Sequence, residues 1–280
     1  MATATAGSSG IVRGDFWRCV RCGSGAHPSA SGDRLDCPAC GAVYPVVDGV
    51  VIVSDQTTDN NEVVKTFYNG PLWPKFRFWE WLTFATNGGE RRSRNKVLDH
   101  LPKGEDLRVL DIAIGDGVYL PWLPPSWSVV GVDISRVQLD ACKARAGDRD
   151  LTLVMGEAEK LPVVDHSFDA CLSIGGFNYF NDPEGSLREM ARAVKPGGTI
   201  VISDEVPNLT NRLPFRYIGL PGIDKWILSR TMHLGDEFTD IVERLRKLDV
   251  AAIGRDVLPG STYKKIWMGV GYVLVGKVPG

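Results

Sequence analysis

Two groups of residues in this 280-residue chain have the types and spacing to do chemistry. The first lies between Arg108 and Asp133, in RVLDIAIGDGVYLPWLPPSWSVVGVD. An apolar run ending at Asp111 enters a turn of small residues in which Ala113, Gly115 and Gly117 alternate with Ile114 and Asp116. A turn without bulky side chains lets backbone N–H groups approach a bound molecule closely. A second apolar run, Ser128 to Val132, ends in Asp133, about 20 residues beyond Asp111, the offset at which a carboxylate meets the ribose hydroxyls of an adenosine. The pattern predicts a nucleotide-cofactor site at the carboxyl ends of two parallel strands. It is not the dinucleotide fingerprint G-x-G-x-x-G, and it lacks the Gly-Lys-Ser/Thr of a P-loop.

The second group is Cys19, Cys22, Cys37 and Cys40, set in WRCVRCG and LDCPACG. Each C-x-x-C-G knuckle offers two thiolates to one metal, and Gly23 and Gly41 permit the tight turn that follows. A tetrahedron filled by four thiolates leaves no open position, so Zn2+ held there is structural and not catalytic. Spacing leaves two disulfides, redox thiols and a rubredoxin-like iron site open as alternatives. Cys142 and Cys171 stand alone in apolar patterns and read as core residues.

The D-x-A/G-x-G-x-G pattern of Asp111 to Gly117 resembles motif I of the class I S-adenosylmethionine-dependent methyltransferases. Their cofactor has no pyrophosphate, so the loop has only the methionine part and the ribose to cradle. The resemblance extends over residues 108 to 205. Gly156-Glu157-Ala158 with Leu161-Pro162 is similar to the family's G-D-A-x-x-L-P, whose acidic residue and following N–H meet the adenine; Glu157 stands where Asp is commoner. The fourth strand, Ser167 to Ile174, leads into Gly175 to Tyr179, which the resemblance turns toward the transferred methyl. The implied fold is α/β, a Rossmann-like seven-stranded methyltransferase sheet, parallel with one antiparallel strand, plus a small N-terminal zinc ribbon. The implied cofactor is S-adenosylmethionine, held by Tyr68, Asp111, Ala113, Gly115, Gly117, Asp133, Ile134, Gly156, Glu157, Ala158, Ser173 and Ile174.

The cysteine segment carries its own resemblance. CPACGAVYPVVDGVVIV is similar to the small zinc-ribbon activator subunit of tRNA, rRNA and release-factor methyltransferases over about residues 17 to 53. In that family the ribbon is a separate chain that docks on and stabilises the enzyme, whereas here it is fused in cis. Arg13, Arg18, Arg21 and Arg34 are offset by Asp15, Asp33, Asp36 and Asp48, which favours a stabilising or substrate-positioning ribbon over an RNA-binding one.

The elements that must position these groups divide the chain. Residues 1 to 10 read as a disordered tail, 11 to 54 as the ribbon, and 54 to 61 as a polar linker. Residues 62 to 280 form the methyltransferase part. Within it, 62 to 105 are an aromatic-rich helical lid with Tyr68 over the cofactor, 106 to 205 the cofactor core, and 206 to 235 a mobile acceptor lid. Residues 236 to 280 supply a helix, Asp236 to Leu248, and two strands near Ala251 to Val257 and Ile266 to Val275, the last antiparallel. Ser135 and Asp182 are placed to N-cap helices, with Pro183 at a first helical position. The helix after Pro183 is expected to end in Val194 to Gly198 and to return as a strand from Thr199 to Ser203.

Composition narrows the partners. With 44% hydrophobic and 24% charged residues, a net charge of -2 and a pI near 6.1, the chain shows no polybasic surface, so nucleic acid is disfavoured. No apolar run approaches the ~20 residues of a membrane helix. Residues Met1 to Gly10 lack the basic start and apolar stretch of a signal peptide, and the expectation is a cytoplasmic protein.

The acceptor side is least specified. Ala113, the insertion from Val206 to Gly235 and the ending from Trp267 to Lys277 resemble the ubiquinone and menaquinone C-methyltransferases, which implies a small, apolar or aromatic acceptor. Those enzymes place Arg-Asn after the fourth strand, where this chain has Asn178-Tyr179, so a quinone does not carry over. In-line displacement needs positioning and exclusion of water more than a covalent intermediate. Where the acceptor must lose a proton, His233 is the candidate base, with Tyr68, Asn178, Tyr179 and Asp204 also on the acceptor side. Two other readings stand beside it. One is an RNA base methyltransferase, suggested by the similar domain order of ribosomal guanine methyltransferases with zinc ribbons; the other is a non-catalytic cofactor-binding partner protein. The oligomeric state is left open.

Overall fold

The computed structural model describes residues 14–54, 57, 59–70, 78, 81, 84–206, 245 and 247–280. The expected tail, most of the acceptor lid with His233, and nearly all of the expected helix Asp236 to Leu248 lie outside them.

Four short strands open the chain: β1 (His27–Pro28), β2 (Arg34–Asp36), β3 (Val43–Val47) and β4 (Val50–Ile52). Helices α1 (Asp59–Asn69) and α2 (Glu90–Leu98) follow. Then come β5 (Arg108–Ile112), β6 (Ser128–Asp133), α3 (Arg136–Ala146), β7 (Leu151–Met155), β8 (Phe168–Ile174), α4 (Pro183–Ala193) and β9 (Val194–Glu205). The chain closes with α5 (Val250–Val257), β10 (Thr262–Ile266) and β11 (Gly271–Lys277).

Among the described residues, the eleven strands form one sheet in the order β1-β2-β3-β4-β7-β6-β5-β8-β9-β11-β10. From β7 to β10 it has the expected seven strands. Strands β7, β6, β5, β8 and β9 are parallel, and β11 runs antiparallel to both β9 and β10. The order reverses between β5 and β8, so the carboxyl ends of β5, β6 and β8 surround a topological switch point, where open α/β sheets bind ligands. Central strands read as continuous apolar runs because both faces are covered. Leu110, Ile112, Val130, Cys171 and Ile202 pack with α4 and α5 on one face; Val109, Val129, Ala170, Leu172 and Val201 pack with Val97, Leu139 and Cys142 of α2 and α3 on the other.

The ribbon is not a separate module. Strand β4 pairs parallel with β7, Val50 opposite Leu153 and Ile52 opposite Met155, covering an edge that would otherwise expose a row of unpaired amides. An isolated bridge, Trp17 to Val163, adds a second seam.

Two local expectations need correction. Residues Val250–Val257 are a helix and not a strand: Asp249 caps it by accepting the Ala252 N–H, and Val250, Gly254 and Val257 fall on one buried face. A Cβ at Gly254 would sit 2.5 Å from Leu274, so this residue lets α5 lie directly on β11. Strand β9 also begins earlier than expected, at Val194 opposite Phe168, and absorbs the Lys195 to Gly198 excursion as a register shift. Among the described residues, no helix is long and apolar enough to cross a membrane.

Candidate functional site

The turn after β5 holds Ala113, Gly115 and Gly117 at φ 58, 55 and 67. This left-handed backbone costs any residue but Gly about 1–2 kcal/mol. At Gly117 space forbids a side chain as well: a Cβ would lie 2.6 Å from Cys142 Sγ, so the buried Cys142 is the floor of the turn. At Gly115 and at Gly175 (φ 82), after β8, a Cβ would meet nothing within 4 Å. Both open onto free space at the carboxyl edge.

Asp133 ties the neighbouring turns together. Its Oδ2 accepts the Gly115 N–H at 2.9 Å and its Oδ1 the Ser135 N–H at 2.8 Å, while its carbonyl accepts the Gly156 N–H at 3.0 Å. Burial pushes its carboxyl up to about 6 against the backbone N–H bonds from Ser135, Gly115 and Ile134, which favour the anion. Burial, and then Asp133 itself, hold Asp111 well above the usual carboxylate range. Ser173, at the end of β8, is buried with no hydrogen-bond partner for its Oγ among the described residues. Ile134 and Ile174 are half-buried and Ala158 is buried.

Helix α1 lies across this edge like a strap. The Tyr68 hydroxyl donates to the Gly175 carbonyl at 2.9 Å, and the Tyr68 carbonyl accepts from Gln138 Nε2 at 3.3 Å. Asn69 Oδ1 accepts from Ser135 Oγ at 2.6 Å. At the other end, Asn61 Nδ2 donates to Glu157 Oε1 at 3.0 Å and to Glu159 Oε2 at 3.5 Å, and Asn181 Oδ1 accepts the Asn60 and Asn61 N–H groups. One helix thereby joins the turns after β6, β7 and β8. Asn61 and Asn69 reach this edge without having been singled out in the sequence; Asn61 falls in the stretch expected to be linker, and the helix starts at Asp59.

Beside this edge lies a polar network. Asn178 is buried with its amide committed on both atoms: Nδ2 donates to the Glu205 carbonyl at 2.7 Å and Oδ1 accepts the Tyr272 hydroxyl at 3.0 Å. It therefore holds the turn in place. Its N–H donates to Asp204 Oδ2 at 3.0 Å, and the Tyr179 hydroxyl bonds Glu205 Oε1. Burial pushes Asp204 and Glu205 each up to about 7. His233 lies outside the described residues.

The four cysteines converge. Their sulfurs lie within 4.8 Å of one another, with Cys22–Cys37 at 3.5 Å and Cys19–Cys40 and Cys37–Cys40 at 3.6 Å. A tetrahedron of about 2.3 Å metal–sulfur bonds has edges of about 3.8 Å, so the donor set fits one metal ion. The thiols are not joined as disulfides. The knuckles are matched: Gly23 N–H donates to the Cys19 carbonyl at 2.8 Å and Gly41 N–H to the Cys37 carbonyl at 2.9 Å, at φ 78 and 71. The Tyr44 hydroxyl lies 3.1 Å from Cys19 Sγ, placed to donate to a thiolate.

Residues 110–202 match the family described as a methyltransferase domain. The match, the strand order and the turn geometry above together support a class I S-adenosylmethionine-dependent methyltransferase domain over these residues. It is 37% identical over 118 residues to the demethylmenaquinone methyltransferase of Renibacterium salmoninarum, covering 42% of this chain and 49% of that protein. It is 35% identical over 125 residues to the enzyme of that name from Deinococcus radiodurans, covering 43% and 50%. The chain thus spans about half the length of these relatives. Among solved structures, a complex of a methyltransferase activator from Haloferax volcanii aligns with a TM-score of 0.48 at 19% identity, over 80% of this chain and 100% of the matched one.

Proposed function

We propose that the chain transfers a methyl group from S-adenosylmethionine to a small, apolar or aromatic acceptor, and that the four cysteines hold a structural zinc ion. The observation that carries the first part is the open backbone at Gly115 and Gly175, flanked by Asp133 and strapped by Tyr68. When bound, the cofactor supplies a methyl group on a sulfonium, activated for displacement. Asp133 keeps lone pairs for the ribose hydroxyls while its bonds to Gly115 and Ser135 fix its position. Gly115 leaves room for the methionine part, and Ser173 offers an unmatched hydroxyl at the same edge. Glu157 and the Ala158 N–H would meet the adenine, with Asn61 orienting the carboxylate. Tyr68 closes the edge and excludes water, which raises the value of every polar contact inside. The relatives named as demethylmenaquinone methyltransferases support an aromatic acceptor; Asn178-Tyr179 in place of Arg-Asn argues against equating it with theirs.

Calorimetry with S-adenosylmethionine tests the cofactor, and no binding at millimolar concentration would sink the proposal. Incubating the protein with methyl-labelled cofactor and fractionated cell extract then identifies the acceptor by transferred label; label transferred to RNA instead would overturn the small-molecule reading. Metal analysis should return one zinc per chain.

A further inference from the structure

The carboxyl ends of β8 and β9 bring a carboxylate and a phenol together on the opposite flank of β8 from β5, β6 and β7. We infer that Glu205 is the catalytic base for a hydroxyarene acceptor, an aromatic ring carrying an O–H, and that Tyr179 is the residue that positions its carboxyl. The inference rests on the methyl transfer proposed above and names the acceptor class for it. Glu205 is the last residue of β9, two positions beyond Ser203, whose carbonyl accepts the Gly175 N–H at 2.9 Å. It therefore stands beside the turn whose backbone opens onto free space. The Tyr179 hydroxyl donates to Glu205 Oε1. The backbone around the carboxyl is held as well: the Glu205 N–H donates to Asp204 Oδ1 at 2.8 Å, and its carbonyl accepts from Asn178 Nδ2 at 2.7 Å.

Asp204 is excluded as the base by its own bonds. It is buried, and its two oxygens accept the Asn178 and Glu205 N–H groups. Glu205 is half-buried instead, and with Oε1 on Tyr179, Oε2 is left to an incoming proton. The titratable groups around it are Asp204 on its own strand, Tyr179 from the turn after β8 and Tyr272 from β11, on which Tyr263 of β10 stacks at 5.1 Å. Tyr68 of α1 lies against Tyr179. Among the described residues no Lys or Arg pairs with Glu205, and burial raises it to about 7, so the carboxylate gains by taking up a proton. Tyr179 packs with Val64 and Leu245, and Val63 adjoins them. A hydroxyarene meets this apolar wall neutral, whereas an ammonium acceptor would lose its hydration there. In the step, the acceptor O–H proton passes to Glu205 while the oxygen lone pair forms the bond to the methyl carbon. The carbon–sulfur bond breaks with its electron pair going to sulfur, S-adenosylhomocysteine leaves neutral, and Glu205 gives the proton to solvent. Where the adjacent ring carbon attacks instead, the proton returns from Glu205 to the oxygen as that carbon loses its hydrogen to water.

The test uses the full zinc-loaded chain saturated with S-adenosylhomocysteine, and 4-nitrophenol as the probe, at a pH of about 8 where free probe and Glu205 are both ionised. Two anions cannot share the site without a proton, so binding should take up about one proton, read by calorimetry in buffers of different ionisation enthalpy. Glu205→Gln keeps the shape and should bind the probe as the yellow phenolate with no proton uptake. Kinetics with the extract fraction that takes up label separate a base from a structural carboxyl. Transfer by the unmodified chain should rise through about pH 7. Tyr179→Phe removes a bond that favours the anion, and should move that rise upward by about one pH unit. Glu205→Gln should slow transfer about 100-fold with S-adenosylhomocysteine affinity unchanged. Equal proton uptake in Glu205→Gln, no binding of 4-nitrophenol, or an unmoved profile in Tyr179→Phe overturns the inference and leaves the methyl transfer standing. Failure of the unmodified chain to bind S-adenosylhomocysteine overturns both.

Discussion

The four-cysteine cluster and the proposed cofactor edge are assembled in opposite ways. All four thiols of the first come from the span between Cys19 and Cys40, in two matched turns each closed by its own backbone hydrogen bond. The second draws on α1 and on the turns after β5, β6, β7 and β8, whose members meet only when the sheet is built. A local site can be lost as a unit by removing one ligand, whereas a distributed site should fail by degrees. That contrast orders the expected effects of substitution.

Cys37→Ser should be the most damaging single change. Structural zinc contributes about 10–16 kcal/mol to the folding of isolated zinc-finger peptides, so loss of one of four thiolates costs a large share of the ribbon's stability. Zinc content below half an equivalent and a melting temperature several degrees lower are expected; a variant with full zinc and unchanged melting would remove the local-site side of the contrast. Asp133→Ala comes next. It deletes the acceptor of the Gly115 and Ser135 N–H groups together with the proposed ribose contacts. At about 1.5–3 kcal/mol for hydrogen bonds to a charged group, cofactor affinity should fall roughly 10- to 100-fold. Zinc content should be normal, because no bond of Asp133 reaches the knuckles, and calorimetry beside metal analysis separates the two effects.

The same contrast explains what the sequence makes legible. The knuckles, the turn from Asp111 to Gly117 and the carboxylate at Asp133 announce themselves because residue type and spacing are the chemistry. Parallel strands buried on both faces give runs that are hard to miss, and the seven-stranded arrangement follows from them. Asn61 is different: its partner Glu157 is 96 residues away, and an amide in DNNEVV makes no pattern. The pairing of β4 with β7 is likewise invisible, since a short apolar hairpin does not reveal which edge it will cover. VAAIGRDV is ambiguous for another reason. Eight apolar-rich residues fit a strand or a helix, and the Asp249 cap with Gly254 against Leu274 decides it.

Charge separates the sites again. Glu205, beside the edge, is raised to about 7 from an ordinary value of 4.5 by burial, so the folded protein binds this proton more tightly than the unfolded chain. Its contribution to stability is full below about pH 4.5 and is lost as the pH rises through about 7. Glu205→Gln cannot ionise and escapes that loss. Between pH 5 and pH 8 the unmodified protein should therefore lose about 2 kcal/mol more than the variant, read from urea midpoints at the two pH values. Parallel midpoints would mean that Glu205 is not held protonated by its surroundings.

Tyr68→Phe should have the smallest effect and the sharpest meaning. The ring remains, so packing against the strap is conserved, and only the hydroxyl bond to the Gly175 carbonyl disappears. Such a bond contributes a net of about 0.5–1.5 kcal/mol, which corresponds to roughly two- to tenfold in cofactor affinity if the strap closes over the ligand. The strap has other anchors in Asn61, Asn69 and the Tyr68 carbonyl, so closure should be weakened and not abolished. The loss should appear mainly as faster cofactor dissociation, because the hydroxyl acts after the ligand is in place. Stopped-flow displacement measures it. An unchanged dissociation rate would show that α1 is fixed over the edge with or without ligand, and the distributed site would then be as rigid as the metal centre.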